Sequence, residues 1–161
     1  MNISFELNGK KITVDSEPEK RLVHVLREDF GLLKTRAGCH AGECGACTVL
    51  YNDMPVPACM LPMFTVRGLS IVTIEGFSKT PEYKDIVKGF EEASYEPCSY
   101  CSSGKILIVH ALLEQEGEPD DALISSALSG ISCTCSDYRT LIAGVKMAAI
   151  NRKRKKRDRK R

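Results

Sequence analysis

The chain has 161 residues and no apolar run of the roughly 18 residues that a membrane-crossing helix needs. It lacks the basic n-region and apolar core of a secretory leader. Met1 to Lys10 reads as an amphipathic strand instead, and the expectation is a cytoplasmic protein. There is no internal repeat, and low complexity is confined to the last ten residues. With 43% hydrophobic and 27% charged residues, the composition excludes disordered and fibrous classes. No paired carboxylates, Ser/His/Asp set or phosphate-cradling loop is present, which excludes hydrolysis and group transfer by the chain alone. Any chemistry on a substrate must take place in a partner. The eight cysteines are too dilute for a disulfide miniprotein. In a reducing compartment, clustered cysteines read as metal ligands first.

Net charge is small, +2, and unevenly placed. Arg152 to Arg161 carry nine Lys/Arg and one Asp, a local +8, while the other 151 residues hold 14 basic and 20 acidic groups, a net −6. The acidic body thus ends in a basic tail. No aromatic residue interleaves the tail's charges and no nucleic-acid fold accompanies them. Nucleic acid is therefore not the expected partner, and residues 152–161 read as a solvated, disordered extension.

The first 75 residues read as strands and turns. Ile3, Phe5 and Leu7 alternate with polar residues, and Asn8-Gly9 turns into Lys11-Ile12-Thr13-Val14. Pro18 and Glu19 open a short helix that buries Leu22, Val23, Val25 and Leu26. Strands are expected at Thr48 to Tyr51, Val56 to Cys59 and Ser70 to Ile74, the last ended by Gly76. A hairpin, a crossing helix and further strands predict a small ferredoxin-like β-grasp domain over residues 1–78. After Thr80 the period turns helical, with helices expected over Pro81 to Ser94, Ser103 to Gln115, Ala122 to Leu128 and Tyr138 to Ile150, the last capped by Asp137. These predict a four-helix domain over 79–151, making the fold class α+β. Domains of this size sit where a metal staple aids stability.

Cys39, Cys44, Cys47 and Cys59 follow the C-x4-C-x2-C pattern with a fourth cysteine downstream, the plant-type [2Fe–2S] spacing. Four thiolates, two sulfides and two ferric ions sum to −2, and such an anion needs backbone N–H groups aimed at its sulfurs. Gly38, Ala41, Gly42, Gly45 and Ala46 leave room for that approach. The competing readings are a four-cysteine zinc site, which usually pairs two C-x2-C knuckles, and a disulfide within Cys44 to Cys47. His40 reads as a loop residue facing solvent or a partner. Cys98-Ser99-Tyr100-Cys101 and Cys133-Thr134-Cys135 lie thirty-one residues apart. A helix leaving the first pair and another returning bring the two pairs together at one end of the bundle. Both pairs precede helix N-termini, which favour an anion. An iron–sulfur cluster leads here, with zinc as the alternative. His24 and His110 read as packing or surface residues. Met60-Leu61-Pro62-Met63-Phe64, beside Cys59, reads as core or as part of a subunit interface.

Both cysteine sets, in this order, resemble the small iron–sulfur subunit of the molybdenum hydroxylases, the family of xanthine dehydrogenase, aldehyde oxidoreductase, carbon monoxide dehydrogenase and nicotinate dehydrogenase. The likeness covers about residues 2 to 150. It rests on Gly38-Cys39-His40-Ala41-Gly42-Glu43-Cys44-Gly45-Ala46-Cys47-Thr48-Val49, on Cys59, and on the C-x2-C and C-x-C pairs. It implies two [2Fe–2S] clusters, held by Cys39, Cys44, Cys47 and Cys59 and by Cys98, Cys101, Cys133 and Cys135. It also implies an oxidoreductase subunit that relays electrons from a large molybdopterin-binding subunit to an FAD-binding subunit. A stand-alone ferredoxin-like carrier and a zinc-stapled adapter are the alternatives. The chain departs from the family pattern at Pro97, where a pterin-contacting Gln is usual, and at Thr134 and Asp137, where Arg and Gly are usual. These changes suggest an altered partner, pterin or substrate.

Overall fold

The computed structural model describes residues 1–133, 135 and 137–158. Strands β1 (Asn2–Leu7) and β2 (Lys10–Asp15) form an antiparallel hairpin with Phe5 opposite Ile12. Ile3, Phe5 and Leu7 point into the core, the period-2 pattern visible in the sequence. Asn8 and Gly9 make the turn with φ of 50° and 79°, as a two-residue hairpin requires. One α-turn, α1 (Leu22–His24), widens into a π turn at Val25–Asp29, and Leu22, Val23, Val25 and Leu26 are fully buried.

Strands β3 (Thr48–Tyr51), β4 (Met54–Pro57) and β5 (Ser70–Val72) complete a five-stranded sheet of order β2-β1-β5-β3-β4. β1 and β5 run parallel and the other pairs antiparallel. With the crossing helix, this is the β-grasp arrangement. Two strands end earlier than the sequence suggests. β4 stops at Pro57, and Ala58–Met60 forms a 3-10 turn; Pro55 and Pro57 sit on the sheet's edge, where a missing N–H breaks no ladder. β5 stops at Val72 because the Asn8 side-chain oxygen accepts the Thr73 N–H at 2.8 Å. The chain then turns into α2 (Ile74–Phe77). Gly76 lies against that asparagine, since a Cβ there would fall 2.2 Å from Asn8 Oδ1.

The helical part contains α3 (Pro81–Glu92), α4 (Ser102–Gln115), α5 (Asp121–Leu128) and α6 (Tyr138–Asp158). The Thr80 hydroxyl accepts the Tyr83 N–H ahead of Pro81, and the Asp120 carboxylate accepts the Leu123 N–H at 2.8 Å. Asp137 accepts the Thr140 N–H at 3.2 Å, the cap expected from sequence. α4 is buried around most of its circumference and forms the bundle's axis. α3 and α6 approach closely through small residues: a Cβ on Gly89 would meet the Ala148 backbone nitrogen at 2.4 Å, and one on Gly144 would meet Phe90. Leu50 of β3 joins Ile74, Phe77 and the helical residues in one core, while the other sheet face and α1 form a second. The sheet therefore backs directly onto the bundle.

α6 runs eight residues past Ile150, through the segment read as a disordered tail. Its partners lie far away in sequence. Arg152 is buried and binds Glu114 at 2.8 Å, Asn151 donates to Glu92, and Lys153 and Lys155 pair with Glu118 and Asp85. Residues 159–161, and Thr134 and Ser136 in the cysteine-rich segment, lie outside the described residues.

Arg152 also stands 2.8 Å from His110 Nδ1, and His110 packs on Phe77. Burial first, and then the Arg152 charge, hold His110 below its ordinary value of 6.5. The unfolded chain binds a proton near pH 6.5 that the folded state refuses. Stability is therefore complete above that pH and falls as pH drops through it. His110→Gln is expected to flatten this part of the curve, read as the difference between wild-type and variant Tm from about pH 7.5 to about pH 5.5.

Candidate metal centres

The first set of cysteines sits on the loop between α1 and β3 and on the turn after β4. Gly42 and Gly45 have φ of 76° and 69°, which wraps the loop as its glycine content suggests. The Arg21 guanidinium donates to the His40 carbonyl, and the His40 ring stacks on His24 with centroids 5.4 Å apart. The loop rim is thus held from α1. Cys39 is exposed, Cys44 half-buried, and Cys47 and Cys59 buried. The backbone N–H groups of Ala41, Cys44 and Glu43 point at Cys39 Sγ from 3.3 to 3.4 Å and bring its thiol down to about 6. This is the N–H cradle that an anionic sulfur site requires. Burial, with Cys59 beside it, pushes Cys47 up to about 12. Cys47 would release its proton only to a metal ion that displaces it. Cys44 acts on both Cys39 and Cys47, and Cys59 acts on Cys47, so the four cysteines form one connected set.

The second set gathers more tightly. Cys98 and Cys101 precede α4, and Cys133 and Cys135 precede α6. All four sulfurs lie within 4.8 Å of one another, the one set of metal-ligating side chains drawn that close among the described residues; Cys39, Cys44, Cys47 and Cys59 are not. Cys101 Sγ is central, at 3.2 Å from Cys98 Sγ and 3.4 Å from Cys135 Sγ. Cys101 is buried, and burial holds its thiol well above the ordinary range. The Cys101 N–H donates to Cys98 Sγ at 3.4 Å. None of the eight cysteines forms a disulfide.

One residue escaped the sequence reading. Lys105 lies within the apolar α4 and is 4% exposed, with its ammonium donating to the Tyr95 hydroxyl at 2.7 Å and to Cys135 Sγ at 3.7 Å. A lysine four residues after a ligand cysteine, inside an apolar helix, is the signal that could have found it.

The two sets stand back to back. A Cβ on Gly104, in the first turn of α4, would fall 2.2 Å from the Gly45 carbonyl oxygen. A Cβ on Gly45 would meet the Gly130 carbonyl at 2.8 Å, and one on Gly38 would meet the Tyr100 hydroxyl at 2.5 Å. Gly45 adjoins Cys44 and Tyr100 adjoins Cys101, so the two cysteine loops share one packed seam.

Comparison with known proteins agrees with this geometry. Residues 9–94 match the family described as 2Fe-2S iron-sulfur cluster binding domain, and residues 73–146 match that described as [2Fe-2S] binding domain. The nicotinate dehydrogenase small FeS subunit of Eubacterium barkeri is 39% identical over 148 residues, covering 92% of this chain and 94% of that protein. The crystal structure of quinoline 2-oxidoreductase from Pseudomonas putida 86 aligns with a TM-score of 0.85 and 30% identity, over 95% of this chain and 96% of that one. Xanthine dehydrogenase/oxidase of Rattus norvegicus is 30% identical over 156 residues, but this chain spans only 12% of its length. The chain belongs to the iron–sulfur small-subunit family of the molybdenum hydroxylases. It is the [2Fe–2S]-binding, electron-transferring part of an oxidoreductase, and the iron–sulfur reading of both halves stands over the zinc alternative. Relatives occur both as separate small subunits and as segments of much longer chains. Among the described residues no helix is long and apolar enough to cross a membrane.

Proposed function

We propose that Cys39, Cys44, Cys47 and Cys59 hold one [2Fe–2S] cluster and that Cys98, Cys101, Cys133 and Cys135 hold the other. The chain joins a molybdopterin-bearing partner, met at the second site, to an FAD-bearing partner, met at the first. Bound there, the clusters supply one-electron carriers. The observation that carries the reading is the seam at Gly45 and Gly104, which puts the two cysteine loops in van der Waals contact without intervening solvent. The chain's own residues do the rest. Ala41, Glu43 and Cys44 aim N–H groups at the rim sulfur, and Cys101, itself buried, keeps one sulfur of the second site out of water. Each site keeps one exposed sulfur, Cys39 or Cys135, as its contact edge. Met63 is core, whereas Met60 and Phe64 remain more than half exposed near Cys59 and suit a subunit interface. Pro97 offers no side-chain donor, so a pterin would be gripped differently from the usual family manner. The cysteine usage supports a cytoplasmic setting.

The test is iron and zinc analysis of anaerobically purified protein, with EPR after dithionite reduction. About four irons per chain and two distinct signals are expected. About two irons and one signal would remove the second site from the relay, and zinc in place of iron would overturn the redox reading.

A further inference from the structure

Burying a lysine ammonium is unfavourable unless an anion or strong acceptors compensate it. Lys105 is buried more deeply than any other lysine in the described chain, yet it sits in an apolar helix that is buried along most of its length. Its surroundings are built rather than incidental. Tyr95, itself 2% exposed, accepts from Nζ at 2.7 Å and is fixed edge-on against Phe90, with ring centroids 4.9 Å apart. The Tyr95 ring lies 5.4 Å from the ammonium, so ring and hydroxyl together confine it. The ammonium also donates to Cys135 Sγ at 3.7 Å. The Lys105 N–H closes the first turn of α4 onto the Cys101 carbonyl at 3.1 Å, tying the lysine's position to that of the ligand cysteine.

We infer that Lys105 is a fixed positive charge that sets the reduction potential of the second cluster, raising it above the value that the four cysteines alone would give. The inference rests on the proposed ligand set at that site. Its physics is simple. A four-thiolate [2Fe–2S] centre carries −2 when oxidised and −3 when reduced. A buried cation at hydrogen-bond range of a ligand sulfur stabilises the −3 state more than the −2 state. The reduced form gains, and the potential rises. Tyr95 is a positioning residue: it holds the ammonium on the sulfur side of the helix.

The experiment is an EPR-monitored redox titration of the full, anaerobically loaded chain, following the signal that is lost in Cys101→Ser. At a fixed solution potential, Lys105→Met is expected to shift the oxidised-to-reduced ratio of that signal at least about tenfold toward oxidised, a drop of about 59 mV for one electron. The signal of the first cluster should keep its midpoint. Lys105→Arg, which keeps the charge, should return most of the shift. Lys105→Gln provides the same neutral test in a polar side chain if the methionine variant folds poorly. A neutral variant that holds about four irons and keeps the wild-type midpoint overturns the inference. A wild-type chain with only about two irons fails the ligand assignment instead, and iron analysis of both proteins separates the two failures.

Discussion

Cys101→Ser is expected to reduce bound iron from about four to about two per chain and to abolish one of the two EPR signals. Cys101 is the most deeply placed sulfur of the second set, and its neighbours converge on it at 3.2 and 3.4 Å. A serine keeps the shape but puts a hydroxyl, a poor ligand for iron, into a buried position. The loss reaches beyond the metal. The described residues between Gly130 and Asp137 form no helix or strand, and two of them, Cys133 and Cys135, are the proposed ligands. The segment's described backbone bonds are turn-like, from the Ile131 N–H to the Leu128 carbonyl and from the Cys133 N–H to the Ile131 carbonyl. Metal binding and folding are coupled in small domains of this kind. Limited proteolysis should therefore cut the variant between α5 and α6 at least about tenfold faster than wild type, which follows if cluster loss raises local opening by about 1.4 kcal/mol. A variant that keeps about four irons would sink the ligand assignment.

Gly104→Ala is expected to damage both sites by a single methyl group. The obstructing atom is the Gly45 carbonyl oxygen, 2.2 Å from the ideal Cβ, and a backbone atom cannot swing aside as a side chain can. Either the first turn of α4 or the Gly45 loop must move, and each carries ligand cysteines. Overpacking of this kind costs about 1–3 kcal/mol. The expected result is a lower Tm together with altered EPR line shapes for both clusters. Gly130→Ala is the matched control, because nothing lies within 4 Å of its Cβ and its φ is not positive. A Gly104→Ala protein with wild-type Tm and spectra would show that Gly104 and Gly45 do not form a tight seam.

Much of this was legible in the sequence because it is local. The alternation of Ile3, Phe5 and Leu7, the Asn8-Gly9 turn, the Thr80-Pro81 helix start and the Asp137 cap each depend on residues within a few positions of one another. The cysteine spacings were legible for the same reason, and the helical return that unites Cys98 and Cys101 with Cys133 and Cys135 follows from helix lengths. The remaining features depend on distant partners. β5 ends at Val72 because of Asn8, sixty-five residues away from Thr73. The tail is helical because Asp85, Glu92 and Glu114 receive its side chains. Nothing within residues 152–158 announces those acids. Lys105 reads as one charge in an apolar run until Tyr95 and Cys135 are seen on either side of it. The seam between Gly45 and Gly104 joins two loops fifty-nine residues apart, and neither glycine reveals its partner.

Helix α6 starts three residues after Cys135, and its 21 residues extend about 30 Å. Its basic end therefore lies several screening lengths from that site, since the Debye length is about 8 Å at physiological ionic strength. The molecule is an electric dipole: an anionic, redox-active end and a cationic end separated by a rigid rod. The far charge cannot alter the potential of the near cluster. It can turn the whole subunit in the field of an approaching surface. Driving force and orientation are thus assigned to opposite ends of one helix, and either can change without disturbing the other.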